Sequence, residues 1–166
     1  FEGKDFADYW KPFSENGTVT LVDQQFEQSE RSVRLTANAG RVGLRQDRLS
    51  VKAGVIYNGS VWLKPVQGAL SVSLRVVDST GRELAAMPLK TSGTAWQESR
   101  FEFVSRSTDP QASLELIGAG MGTTLVDFIS MMPAAARANG KLRPDLLDAL
   151  KGLKPPFIRW PGGSYA

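Results

Sequence analysis

The sequence predicts an all-β protein: a jelly-roll β-sandwich followed by a short C-terminal α/β segment. Three observations carry this. Apolar and polar residues alternate with period two up to about residue 132, as half-buried antiparallel strands require. Turn-forming residues interrupt the alternation at short intervals, and each interruption is chemically suited to reversing the chain. After Pro133 the apolar spacing becomes helical, and one more short apolar run follows.

In chain order, Asn16-Gly17 supplies the first turn, and Val33 and Leu35 mark a strand. Val55, Tyr57, Gly59, Val61 and Leu63 then share one mostly apolar face, while Ile56, Asn58, Ser60, Trp62 and Lys64 share the other. Leu70, Val72, Leu74 and Val76 alternate with Ser71, Ser73 and Arg75. Asp78-Ser79-Thr80-Gly81 and Thr91-Ser92-Gly93 are the next turns. Phe101 and Phe103 alternate with Arg100 and Glu102, Asp109-Pro110 reads as a turn, and Leu114 and Leu116 alternate with Ser113 and Glu115. The glycine-rich stretch Gly118-Ala119-Gly120-Met121-Gly122 opens no helix, so it reads as a turn between strands and not as a phosphate cradle. The total is about eight or nine short strands and no helix, the pattern of a sandwich or jelly roll.

Beyond this, Pro133 to Gly140 is a small-residue connector. Arg143-Pro144-Asp145 opens a helix, with proline suited to the first turn and an acidic residue facing the positive end of the helix dipole. Leu146, Leu147, Leu150 and Leu153 form one apolar stripe, and Pro155-Pro156 ends the helix. Phe157-Ile158-Arg159-Trp160 then reads as a short strand running into Pro161-Gly162-Gly163. The chain thus divides into a sandwich over 1–132 and a connector, helix and strand over 133–166. A lone helix–strand unit cannot bury its own apolar surface. The chain also begins at Phe1 without a basic-then-apolar leader, so it is expected to be a processed or excised piece of a larger protein.

Composition narrows the chemistry. At 166 residues, 42% of them hydrophobic, the chain can bury a core. It has no cysteine and no histidine, which excludes disulfide frameworks, thiolate zinc sites and Ser-His or Cys-His nucleophiles. The net charge of +3 comes from 20 basic and 17 acidic residues scattered singly, so no nucleic-acid partner is expected. No apolar run approaches the ~20 residues of a membrane helix, and no membrane partner is expected.

The run Leu142-Arg143-Pro144-Asp145-Leu146-Leu147-Asp148-Ala149-Leu150-Lys151-Gly152-Leu153-Lys154-Pro155-Pro156-Phe157-Ile158-Arg159-Trp160-Pro161-Gly162-Gly163 resembles family 51 glycoside hydrolases, the α-L-arabinofuranosidases. In that family, a similar strand and glycine pair lie near the start of a (β/α)8 barrel. Phe1-Glu2-Gly3 with Trp10, Gly54 to Lys64, Thr94-Ala95-Trp96 before Phe101-Glu102-Phe103, and Leu125 to Ser130 are similar to the family's inserted sandwich, which resembles family 4/9-type carbohydrate-binding modules. The resemblance implies a retaining enzyme acting on arabinose-containing plant polysaccharides (arabinan, arabinoxylan), secreted or periplasmic. Its two catalytic glutamates lie downstream of the glycine pair and are not in this sequence. The chain is then expected to be a non-catalytic, carbohydrate-binding-like portion, inactive alone, whose partners are an L-arabinose-containing polysaccharide or oligosaccharide and the rest of the barrel. The alternative is a purely structural insertion with no sugar affinity.

Several residues follow as candidates. The resemblance places Arg159 where the family has an active-site arginine, with a barrel carboxylate as its other expected partner. Ser164 stands where the family has asparagine or cysteine, and its hydroxyl can still bond a sugar. Trp62 lies on the polar face of its strand and is the candidate stacking platform; otherwise it packs beneath a loop or against the barrel. Arg75 and Arg34 also occupy polar faces, and Gln46 follows a strand, whereas Trp10 and Trp96 are expected in the core. Glu2 and Asp127 match the positions at which similar modules hold a structural calcium, an ion that prefers oxygen ligands. Asp127 otherwise accepts backbone amides or pairs with an arginine. No organic cofactor is expected. Asn16-Gly17-Thr18 and Asn58-Gly59-Ser60 fit the glycosylation sequon.

Overall fold

A computed structural model describes Phe6 and residues 9–24 and 30–157. Strands β1 (Lys11–Ser14) and β2 (Gly17–Val22) run one after the other in the same direction along β3 (Ser32–Val51), so Asn16-Gly17 interrupts one path and does not reverse it. Strands β4 (Ile56–Val77), β5 (Glu83–Leu89), β6 (Gln97–Val104) and β7 (Asp109–Pro133) follow. Two helices close the described chain, α1 (Ala134–Ala138) and α2 (Pro144–Leu153).

All strand pairs are antiparallel, and β7 lies between β3 and β4 along most of its length. The short strands attach to the two ends of this long central trio. β2 pairs with the first part of β3 and β6 with the first part of β4, while β1 and β5 pair with their second parts. Because the strands are antiparallel, the end of β7 joins β2 and β6 in one five-stranded layer, and its start joins β1 and β5 in the other. The ladder therefore folds across its middle into two layers around a single core. That core takes Val33, Leu35, Val61, Leu63, Phe101 and Val126 from the first layer, and Val42, Leu44, Leu74, Val76, Leu114 and Leu116 from the second.

The fold line has a local cause. β3 is bulged between Asn38 and Gly40, with Ala39 at φ 58°, and β4 is bulged between Pro65 and Gln67. Each extra residue bends its strand and restores the inward alternation on the far side. Beside these bulges, Gly68 adopts φ 68° and Gly120 φ 111°, a region that side-chain-bearing residues rarely enter.

These bends explain where the structure departs from the sequence reading. There are seven strands among the described residues, not eight or nine short ones, because three run unbroken through both layers. The Gly118–Gly122 stretch is not a turn but the bend inside β7. Asp109-Pro110 is likewise the start of β7, where Asp109 accepts the Ser79 and Gln111 amides at 2.8 and 2.7 Å. The residues read as a plain connector contain α1, whose Ala136 is buried. In β7, Ser113, Glu115, Ile117 and Leu125 are buried even though they alternate with core residues, so the strand is covered on both faces. Gln46 lies within β3, not after it.

Helix α2 forms where expected, with Pro144 in its first turn, Asp145 behind it and Lys154 closing it in the left-handed conformation. No residue of α2 is buried. Leu146, Leu150 and Leu153 face solvent, Leu153 at 76% exposure, and so does Phe157. Among the described residues, nothing covers this stripe.

Candidate functional site

Alternation along β4 sends Val61 and Leu63 into the core and Trp62 onto the outer face of the first layer. Register places Trp62 between Glu98 of β6 and Asp127 of β7. The indole is half-buried. On the same face of β4, Ser60 is buried and Asn58 and Lys64 are half-buried.

Beside them opens a cleft of about 460 Å³ lined by Asn58, Gly59, Ser60, Arg100, Phe101, Glu102 and Arg137. Two strands and the connector helix build it. β6 is an edge strand whose outward positions are Glu98, Arg100 and Glu102, and α1 carries Arg137 across to Asn58, where its Nε donates to Oδ1 at 2.9 Å. The Arg100 guanidinium donates to Glu98 Oε2 from Nε at 2.8 Å and lies 2.7 Å from it through Nη2. That contact, joined by a bond from Ser60, holds the Glu98 carboxyl below its ordinary pKa. The cleft therefore offers a floor of backbone, donors from Arg137 and Asn58, an acceptor in Glu102, and an aromatic ring two residues along β4.

Asp127 is 1% exposed, and its Oδ1 accepts the Phe128 amide at 2.8 Å. Phe128 has φ 45°, an unusual value for an aromatic residue. Asp127 thus offers a hard oxygen donor at a bend in the strand, the type of ligand calcium takes. Among the described residues, no three acidic side chains converge there or elsewhere. Glu2, Arg159 and Ser164 lie outside the described residues.

Arg75 is placed differently. It stands on the outer face of the second layer, so the structure does not bring it together with Trp62. There Arg75 Nη2 lies 2.7 Å from Glu115 Oε2, and Arg45 Nη1 lies 2.8 Å from Oε1. Arg45 also contacts Asp47 at 2.6 Å, Lys11 reaches the other Asp47 oxygen at 2.6 Å, and Ser113 donates to Asp47 at 2.9 Å. The Arg45 bond, then those of Lys11 and Ser113, hold the Asp47 carboxyl well below the usual carboxylate range. This ladder joins β1, β3, β7 and β4. Arg34 is half-buried on the outer face of the first layer, Trp10 packs half-buried against the core, and Trp96 is half-buried ahead of β6.

Sequence reasoning missed Arg137 as a site residue, since its face depends on a helix not foreseen. It also missed the Arg45–Glu115–Arg75 ladder. Glu115 was legible as an outward residue, but its partners lie 70 and 40 positions away, and only register identifies them.

Comparison with known proteins follows the same lines. No family model matches the chain. The chain is 27% identical over 121 residues to α-L-arabinofuranosidase 1 of Arabidopsis thaliana, a match covering 70% of this chain and 18% of that protein. It is 29% identical over 129 residues to an extracellular exo-α-L-arabinofuranosidase of Streptomyces chartreusis, covering 76% of this chain and 14% of that one. It therefore spans less than a fifth of these relatives. Among solved structures, an arabinose-bound family 51 α-L-arabinofuranosidase superposes with a TM-score of 0.76 at 21% identity, over 94% of this chain and 28% of that one. A family 61 carbohydrate-binding module in complex with β-1,4-galactotriose gives a TM-score of 0.58 at 18% identity, over 76% of this chain and 89% of the module. In sequence and in fold, this chain is thus similar to a segment of family 51 glycoside hydrolases of the α-L-arabinofuranosidase type, and its sandwich is similar in fold to carbohydrate-binding modules.

Proposed function

We propose that the chain is the non-catalytic, sugar-binding portion of an α-L-arabinofuranosidase that acts on arabinose-containing plant polysaccharides such as arabinan or arabinoxylan. The observation that carries this reading is the position of Trp62, on the outer face of β4 with Asn58 and Ser60, beside an open polar cleft. An indole face supplies apolar area for a sugar ring, and the polar groups around it supply hydroxyl partners. The exposed stripe of α2 is the surface that the rest of a (β/α)8 barrel covers, and Arg159 and Ser164 are the residues of this chain that contribute to binding the substrate. A structural calcium, where present, is held by Glu2 and Asp127 and braces the sandwich. Secretion or periplasmic export accords with the extracellular relative.

The half-burial of Trp62 on an inner strand favours one other reading, a purely structural insertion. Titration of wild type and Trp62→Ala with arabinoxylan oligosaccharides, beside their denaturation midpoints, separates the two. A binding face predicts lost binding with the fold retained. A structural role predicts no binding by wild type and a loss approaching the ~3–5 kcal/mol of a buried tryptophan.

A further inference from the structure

The cleft between β4, β6 and α1 carries donor-only and acceptor-only groups close together. Arg137 is fixed through Nε by Asn58, which leaves its two terminal nitrogens to donate elsewhere. Glu102 stands in register opposite Asn58 and lines the same cleft; its carboxylate only accepts. Arg100 and Glu98 neutralise one another. What remains facing a ligand is one guanidinium and one carboxylate, with no net charge.

A sugar hydroxyl both donates and accepts, so two adjacent hydroxyls can bond Arg137 and Glu102 at once. A uronate carboxylate can bond Arg137 but meets Glu102 as a like charge, and desolvating that pair is costly. We infer that this cleft is a subsite for a neutral sugar residue, with Arg137 and Glu102 binding its vicinal hydroxyls next to the unit on Trp62. The inference rests on the reading of the Trp62 face as sugar-binding.

The test is calorimetric titration of the full chain with xylotetraose, with arabinofuranosyl-substituted xylotetraose, and with xylotetraose carrying one glucuronic acid. The neutral oligosaccharides should bind, and the acidic one should bind no tighter. Arg137→Gln and Glu102→Gln should each weaken neutral binding by about tenfold, with unchanged denaturation midpoints because both side chains are exposed. Tighter binding of the acidic oligosaccharide overturns the inference. So does full affinity in both variants while Trp62→Ala loses binding, a result that leaves the Trp62 reading standing. Absence of binding to every oligosaccharide overturns both.

Discussion

Glu115 shows how one side chain ties distant parts of the chain together. It is 6% exposed and held between Arg45 and Arg75, each of which is about a third exposed. A carboxylate buried at this depth is tolerable only because its charge and lone pairs are matched. Glu115→Gln should therefore destabilise the fold by about 1–3 kcal/mol, less than a fully buried pair because solvent reaches both arginines. Lys11→Ala at the exposed end of the same ladder should stay within about 0.5 kcal/mol. Urea denaturation followed by circular dichroism measures both, and equal effects would contradict this gradient. The sequence revealed that Glu115, Arg75 and Trp62 point away from the core, because period two needs no knowledge of neighbours. It did not reveal that Arg75 is engaged by Glu115 while Trp62 flanks an open cleft, because partners depend on strand register.

At the level of elements, the continuity of β3, β4 and β7 is what the sequence hid. A strand that bends through a bulge keeps its hydrogen-bonded ladder, whereas glycine-rich sequence at the same place reads as a turn. Gly68 is the sharpest case. It adopts φ 68°, and an added Cβ would stand 2.6 Å from the Met121 carbonyl oxygen and 2.9 Å from Gly122 Cα. Both contacts are backbone, so the neighbours cannot move aside without disturbing the ladder. Gly68→Ala should lower stability by about 2 kcal/mol or more, combining left-handed strain with steric overlap. Gly81→Ala is the control. Gly81 also has positive φ, but nothing lies within 4 Å of its added Cβ, so it should lose only the conformational part, about 1–2 kcal/mol. Thermal unfolding of the two variants distinguishes a packed bend from an ordinary turn. Helix α2, in contrast, was legible to its proline and first acidic residue, because both signals are local.

For the whole molecule, the question is whether a sandwich of this kind can itself break a glycosidic bond. Hydrolysis with retention needs two carboxyl groups ~5–5.5 Å apart, and inversion needs them ~6.5–9.5 Å apart. The cleft at β4 and β6 has two acidic neighbours on its face, Glu98 and Glu102. Four residues of extended strand set their backbones about 13 Å apart. Glu98 is also committed to Arg100 and Ser60, which hold it ionised, the opposite of what a general acid requires. Asp78 is pulled down to about 2, chiefly by the Thr80 hydroxyl and then by backbone amides, so it too is a poor proton donor near neutral pH. Glu98 and Asp78 thus serve to hold a strand and a turn, and neither is set up to give a proton to a leaving group near neutral pH. The 166-residue chain should show no turnover of an aryl α-L-arabinofuranoside above the uncatalysed rate, whether or not it binds arabinoxylan oligosaccharides. Turnover that persists through repurification and is abolished by Glu98→Gln or Glu102→Gln would place catalysis in this cleft and refute the division between a binding sandwich and a catalytic barrel.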